Sequence, residues 1–165
     1  MKKIDFNKML PNENSEEFEK AKKELPYQVL ISYAEAINEK YKGKLKAFVT
    51  ESSLLKNVSN SNEVIKENLV MALSFEAAIG RGYLYRLIEI EQLKNAVFPV
   101  KVKVFSNHTS VLGTYKEYES FYPAIIKFLE SSIVKTIILN LLAQVELYNE
   151  SRSQRFDWEN EKPKE

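Results

Sequence analysis

The chain has 165 residues, of which 44% are hydrophobic and 28% charged, with 24 basic and 23 acidic side chains, one histidine and no cysteine. The lack of cysteine excludes disulfides, thiolate zinc sites and cysteine nucleophiles, and a single histidine excludes any site that needs two imidazoles. No block of the sequence carries the basic excess that drives binding to a nucleic-acid backbone.

Length and composition predict one soluble domain, which buries roughly 70% of its extended-chain surface on folding. The most apolar segment, residues 124–145, is interrupted by Lys127, Glu130 and Lys135, so we interpret it as buried helix and not as a membrane span. No apolar segment follows the N-terminal lysines, which argues against a secretory signal. We therefore expect a cytoplasmic protein without membrane contact, and the composition rich in Lys, Asn and Ile favours a bacterial or phage origin.

The N-terminal third predicts two helices followed by a strand. Residues 1–14 are interpreted as a flexible lead-in. Ser15 precedes an acidic first turn, which is typical of a helix start, and Pro26 suits the first turn of a second helix. Gly43 is a natural end for that helix. The hydrophobic period then changes to two, which predicts a strand over residues 44–50.

Residues 63–79 are compatible with either a strand or a helix. Large apolar residues alternate with smaller ones, as in a strand, whereas Met-Ala-Leu and Glu-Ala-Ala favour a helix. The turn-forming sequence Gly80-Arg81-Gly82 and the β-rich sequence after it favour a strand over about 68–78.

The second half of the chain predicts further strands and two helices. Strands are expected in three segments of alternating hydropathy: residues 83–91, 98–105 and 111–118. Pro123 is expected to open a helix that runs to about Glu130. A helix that is apolar nearly all round is expected over residues 133–149, and such helices are normally central to a core.

The order of these elements predicts an α+β fold. It has N-terminal helices, an antiparallel β-meander of about four to five strands, and two C-terminal helices packed on the sheet. This single domain is expected to span residues 15–149. Residues 150–165 are charged and aperiodic, so we predict a disordered tail there.

The segment Arg81–Arg86 carries the pattern most suggestive of a ligand site. Tyr83 and Tyr85 alternate on one strand face between arginines, and single-stranded nucleic acid is bound by rings that stack on bases and guanidinium groups that contact phosphate. The segment partly resembles the aromatic strand motif of RNA-recognition domains, with Leu84 in place of a small residue and Arg86 in place of valine. The resemblance implies a binder of single-stranded nucleic acid or of a nucleotide; the alternative is that both tyrosines pack beneath a helix.

His108, Glu89 and Glu91 are the remaining candidates for chemistry. His108 lies in a predicted turn beside hydroxyl residues, where it either acts as a general base, contacts phosphate or is a plain surface histidine. Glu89 and Glu91 share a strand face ahead of Lys94, a pattern that can hold Mg²⁺ in a phosphodiester hydrolase; the alternative is an exposed strand end. No upstream aspartate supports the metal site, so we expect no catalytic residue, cofactor or bound metal.

Two features favour protein contacts. The helix predicted over residues 133–149 carries a polar line that either faces water or sets the register of a helix–helix dimer. The members of this line are Thr136, Asn140, Gln144 and Tyr148. Phe156 and Trp158 lie in the predicted tail, where aromatic residues can anchor a chain in a partner's groove. The leading hypothesis is a small binding or protein-interaction module without catalysis, which associates with a protein partner or with itself.

Overall fold

The computed structural model describes residues 15–56, 66–79, 82–93, 96–106 and 109–160, which form four helices and five strands. In chain order these elements are α1 (Glu16–Lys23), α2 (Pro26–Lys40), β1 (Leu45–Lys56), β2 (Lys66–Ala77), β3 (Tyr83–Leu93), β4 (Val100–Phe105), β5 (Thr109–Tyr115), α3 (Tyr118–Leu129) and α4 (Ser132–Asn160). The predicted α+β class is confirmed. Within the described ranges, no helix combines the length and the hydropathy that a membrane crossing requires.

The N-terminal helix boundaries follow the local signals in the sequence. The hydroxyl of Ser15 accepts a hydrogen bond from the Phe18 N–H at 3.2 Å and so caps α1. Pro26 is the first residue of α2. Gly43 has a φ of +79°, a left-handed conformation that suits glycine, and it turns the chain from α2 into β1.

The five strands form one antiparallel meander in which each strand pairs with the next along the chain. The described part of residues 63–79 is strand from Lys66 to Ala77, as favoured from the sequence. Pairing with a neighbour on both sides decides the conformation here, because the local propensities are ambiguous.

The helices cover one face of the sheet, and the core lies between them. On this face Leu45 pairs with Ala77 and Ala47 pairs with Phe75, and all four are nearly or fully buried. Val100, Val102 and Val104 of β4 join them. The helices complete the core with fully buried side chains: Leu30, Phe121, Ile125, Val134 and Val145.

A β-bulge at Leu87 reverses the alternation of side chains along β3. Before the bulge Tyr85 faces the helices, opposite Phe75; after it Ile88 does so. The sequence pattern predicts that Leu84 shares the face of Ile88. That prediction is wrong: the bulge leaves Leu84 on the opposite face of the sheet, where it is 61% exposed.

α3 begins earlier than predicted. It starts at Tyr118, so Pro123 lies inside the helix and does not open it, and β5 ends at Tyr115. Phe121 explains the early start, because this fully buried ring in the first turn packs edge-on against Phe98 and Tyr115. Such packing outweighs the one backbone hydrogen bond that an interior proline removes.

α4 ends later than predicted. Its backbone remains helical to Asn160, so residues 150–160 continue the helix that the sequence analysis ends at residue 149. Residues 150–160 contain two Glu, one Gln and two Arg, whose side chains lose little rotamer freedom in a helix. A polar composition without periodicity is therefore compatible with a helical backbone over residues 150–160.

Candidate functional site

A cleft of about 670 Å³ lies at the end of the sheet where β1 begins, β2 ends and β3 begins. The turn between α2 and β1 lines one side, and Tyr148, Asn149 and Arg152 of α4 line another. Leu45, Ala77 and Ile79 are among the apolar residues of its lining. The volume is in the range of sites that hold small molecules.

Positive charge is concentrated in this cleft. Its lining contains four cationic side chains and one carboxylate: Lys42, Lys44, Lys46, Arg152 and Glu76. Four positive charges against one negative charge leave a local excess of three, whereas the whole chain carries a net charge of only +1. Such a concentration attracts a multiply charged anion.

The turn after α2 brings the three lysines together. The N–H groups of Lys44 and Leu45 both donate to the carbonyl of Tyr41 at 3.0 Å, and Gly43 lies inside this tight turn. Lys42 and Lys44 lie in this turn, and Lys46 follows as the second residue of β1. The ammonium of Lys44 reaches α4, where its Nζ lies 3.7 Å from Oε1 of Glu146.

Two glycines leave the backbone bare within the cleft. Gly43 and Gly82 both line it and both have positive φ values, +79° and +74°. A Cβ atom built on Gly82 would lie 3.0 Å from Oε1 of Glu76, so the carboxylate of Glu76 is in contact with this bare backbone. The positive φ of Gly82 favours glycine here, whereas the flexible end of the Glu76 side chain can move away from a Cβ.

Asn38 fixes the wall of the cleft. Its Nδ2 donates to the carbonyl of Ala47 at 2.8 Å, and its Oδ1 accepts from the N–H of Ala47 at 2.6 Å. β1 is an edge strand of the sheet, so this amide supplies the partner that a further strand would otherwise give. The two bonds tie α2 to β1 beside the basic turn.

Tyr83 borders the cleft. It follows Gly82 in the chain and pairs directly with Ala77, both of which line the cleft, and it is 48% exposed. Tyr85 lies two residues further along the same face, half-buried against the core, and its hydroxyl donates to the carbonyl of Phe105 at 2.7 Å. Burial, and secondarily the neighbouring Tyr83, raises the pKa of Tyr85.

The other predicted residues of this segment do not join the tyrosines. Arg86 pairs with Ser74 on the opposite face of the sheet, so its guanidinium lies on the far side from both rings. Arg81 and His108 lie outside the described residues, as does Lys94. The structure therefore brings Tyr83 to a basic cleft whose cations are not those that the sequence analysis singled out.

Glu89 and Glu91 are buried, with 6% and 7% of their surface exposed. The alternative of an exposed strand end is therefore wrong for both residues. Nζ of Lys103 lies 2.8 Å from Oε1 of Glu89 and 3.3 Å from Oε2 of Glu91, and Asn68 donates to Glu91 at 2.6 Å. The hydrogen bond that Lys103 donates to Glu89 is the main cause that raises the pKa of Lys103. Among described residues there is no group of three or more His, Cys, Asp or Glu that could hold a metal ion. Arg86 adds a contact to Glu89 at 3.2 Å, so this set is a connected network of charges.

Three residues of the polar line of α4 face solvent, and the fourth lines the cleft. Thr136, Asn140 and Gln144 are exposed, whereas Tyr148 is half-buried and lines the cleft. Phe156 and Trp158, the predicted partner anchors, belong to the last turns of α4, where the backbone is helical.

Sequence reasoning missed the basic cleft, although one part of it is visible. The run KYKGKLK over residues 40–46 carries four lysines around a glycine. Arg152 and Glu146 are far away in the sequence, and only folding brings α4 beside this run.

No protein-family model, curated protein or solved structure matches the chain.

Proposed function

We propose that the protein is a binding module for a phosphate-bearing small molecule of nucleotide size. The observation that carries this proposal is the meeting of Lys42, Lys44, Lys46 and Arg152 in one cleft of about 670 Å³. The role is binding without catalysis, in the cytoplasm, as expected from the sequence.

The mixture of cations favours phosphate over a single carboxylate. Lysine ammonium groups are compact charges on flexible stems, and the guanidinium of Arg152 offers a planar fork that matches two phosphate oxygens. Three lysines and one arginine suit a ligand with several negative charges. The bare backbone at Gly43, with no atom within 4 Å of where a Cβ would lie, leaves space for such a ligand to approach closely.

The rest of the cleft favours a ligand that also carries an aromatic ring. Ala78, which is exposed, and Ile79, which is partly exposed, provide apolar surface, and the half-exposed ring of Tyr83 stands at the border. Stacking of a base on an aromatic side chain contributes about 1–3 kcal/mol. Tyr83 thus keeps the role that the sequence analysis gave it, while the phosphate contacts come from the α2–β1 turn and from α4.

Isothermal titration calorimetry at low salt with ATP, inorganic triphosphate and adenosine tests the proposal. ATP is expected to bind most tightly, triphosphate more weakly, and adenosine weakest, and ATP binding should weaken steeply with salt. Lys44→Ala and Arg152→Ala should each weaken ATP binding about five- to tenfold, which corresponds to a loss of about 1–1.4 kcal/mol of binding free energy.

Lys127→Ala is the matched control, because Lys127 is an exposed lysine of α3 away from the cleft. An equal loss in this variant, or no binding of any of the three compounds at millimolar concentration, would contradict the proposal. Tight binding of a single-stranded oligonucleotide with no binding of ATP would replace it with the nucleic-acid alternative.

A further inference from the structure

α4 leaves three apolar side chains uncovered along one line. Leu139 and Leu147 are 64% and 65% exposed, and Ala143, halfway between them, is exposed as well. Residues four apart lie on the same side of a helix, so these three form a continuous stripe. Buried residues such as Ile138 and Val145 hold the other side of α4 to the core.

We propose that this α4 stripe, Leu139, Ala143 and Leu147, binds the same stripe of a second copy of the chain. The two α4 helices cross antiparallel about a two-fold axis at Ala143. The inference is independent of the proposed ligand, because none of the three residues lines the basic cleft.

The stripe is complementary to itself in this arrangement. When two antiparallel helices are related by a two-fold axis at Ala143, a residue n positions before Ala143 in one copy faces the residue n positions after Ala143 in the other copy. Leu139 is four residues before Ala143 and Leu147 is four residues after it, so each Leu139 packs on the other copy's Leu147. The small side chain of Ala143 at the crossing allows the two helices to approach closely.

The charges on the same helix also match. Lys135 lies eight residues before the crossing and Glu150 lies seven residues after it, so each lysine meets the other copy's glutamate at the edge of the contact. Both side chains are exposed, and neither forms an ion pair with any other described residue. A parallel arrangement would instead bring like charges together, which disfavours it.

Disulfide trapping tests the crossing point directly, because the natural chain contains no cysteine. Under mild oxidation, Ala143→Cys should give a covalent dimer of twice the 19.2 kDa chain mass, since the two substituted positions meet at the axis. Leu84→Cys is the control: this site is 61% exposed and lies on the sheet face away from the helices. No more dimer from Ala143→Cys than from Leu84→Cys would overturn the inference.

Sedimentation analysis of uncross-linked protein supplies the second readout. The double variant Leu139→Glu/Leu147→Glu should be monomeric at concentrations where the parent chain and Leu84→Glu are dimeric. Lys135→Glu should weaken the dimer severalfold, and Lys135→Glu/Glu150→Lys should restore it. Circular dichroism confirms that each variant is folded. A monomeric parent chain, or a dimer that persists in the leucine double variant, would contradict the proposal.

Discussion

Lys44, which lines the basic cleft, forms an ion pair with Glu146 of α4, with Nζ of Lys44 3.7 Å from Oε1 of Glu146. Both side chains are more than half exposed, so the pair is worth less than about 1 kcal/mol. Glu146 therefore competes weakly with an anionic ligand for one of the four cations of the cleft, and a phosphate can replace it as the partner of Lys44.

Removing this competitor should strengthen binding. Glu146→Gln is expected to raise the affinity for ATP about two- to fivefold at low salt, because ATP then binds Lys44 without first breaking the ion pair between Lys44 and Glu146. Glu150→Gln controls for the change in net charge, since Glu150 is exposed on the same helix but, among the described residues, does not pair with a lysine of the cleft. Calorimetric titration of both variants checks the prediction. Equal gains in the two would show that net charge alone is responsible.

Asn38 should matter for stability more than its half-exposed position suggests. Asn38→Ala removes two hydrogen bonds to Ala47 and leaves both backbone groups of an edge strand without their partner. We expect the free energy of unfolding to fall by about 1–3 kcal/mol. Urea denaturation measures this loss. Glu39→Ala, an exposed neighbour on α2, should change it by less than about 0.5 kcal/mol.

Substitution of Lys103 is expected to lower the free energy of unfolding more than substitution of Lys101 on the same strand. Lys103→Met leaves Glu89 and Glu91, both buried, without the ammonium that lies between them. Breaking a buried ion pair from one side costs about 3–5 kcal/mol, and the partial exposure of Lys103 favours the lower end. Denaturation of Lys101→Met, an exposed position on the same strand, serves as the comparison. A similar small effect in both variants would mean that the network contributes little to folding.

The raised pKa values of three tyrosines predict how the free energy of unfolding depends on pH. Burial raises the pKa values of Tyr33, Tyr85 and Tyr118, so the folded chain holds these protons more tightly than the unfolded chain. Their contribution is fully present below the unfolded tyrosine pKa of about 10 and is lost as pH rises through the higher folded values. The free energy of unfolding should fall from about pH 10 upward.

Tyr85→Phe tests the origin of that loss. At pH 8 the variant should be less stable by about 1 kcal/mol, since it lacks the hydrogen bond to the Phe105 carbonyl. Above pH 10 the gap between the variant and the parent should narrow, because phenylalanine has no proton to lose. Urea denaturation at several pH values between 8 and 11 gives both numbers, and a gap that stays constant would rule out a contribution from Tyr85.

Local signals were sufficient to predict most of the elements. Ser15, Pro26 and Gly43 set backbone geometry through their own chemistry, so their positions could be predicted without knowledge of the rest of the fold. The face of Leu84 could not, because the bulge at Leu87 depends on how β3 pairs with β2.

The candidate site was predictable only in part. Tyr83 was singled out and does border the cleft, but the arginine expected to accompany it, Arg86, lies on the other face of the sheet. The lysines of residues 40–46 are close in sequence, whereas Arg152 reaches them only because α4 packs across the sheet end. Because the cations of the cleft come from residues 42–46 and from Arg152, they do not form a continuous sequence motif.

The central claim, that the basic cleft binds a phosphate-bearing ligand, is tested most directly by ¹⁵N–¹H NMR during titration with ATP. The account predicts shift changes concentrated at the amides of Gly43, Lys44, Gly82, Asn149 and Arg152. Changes concentrated at exposed lysines elsewhere, such as Lys20, Lys101 and Lys127, or no changes at millimolar ATP, would contradict it.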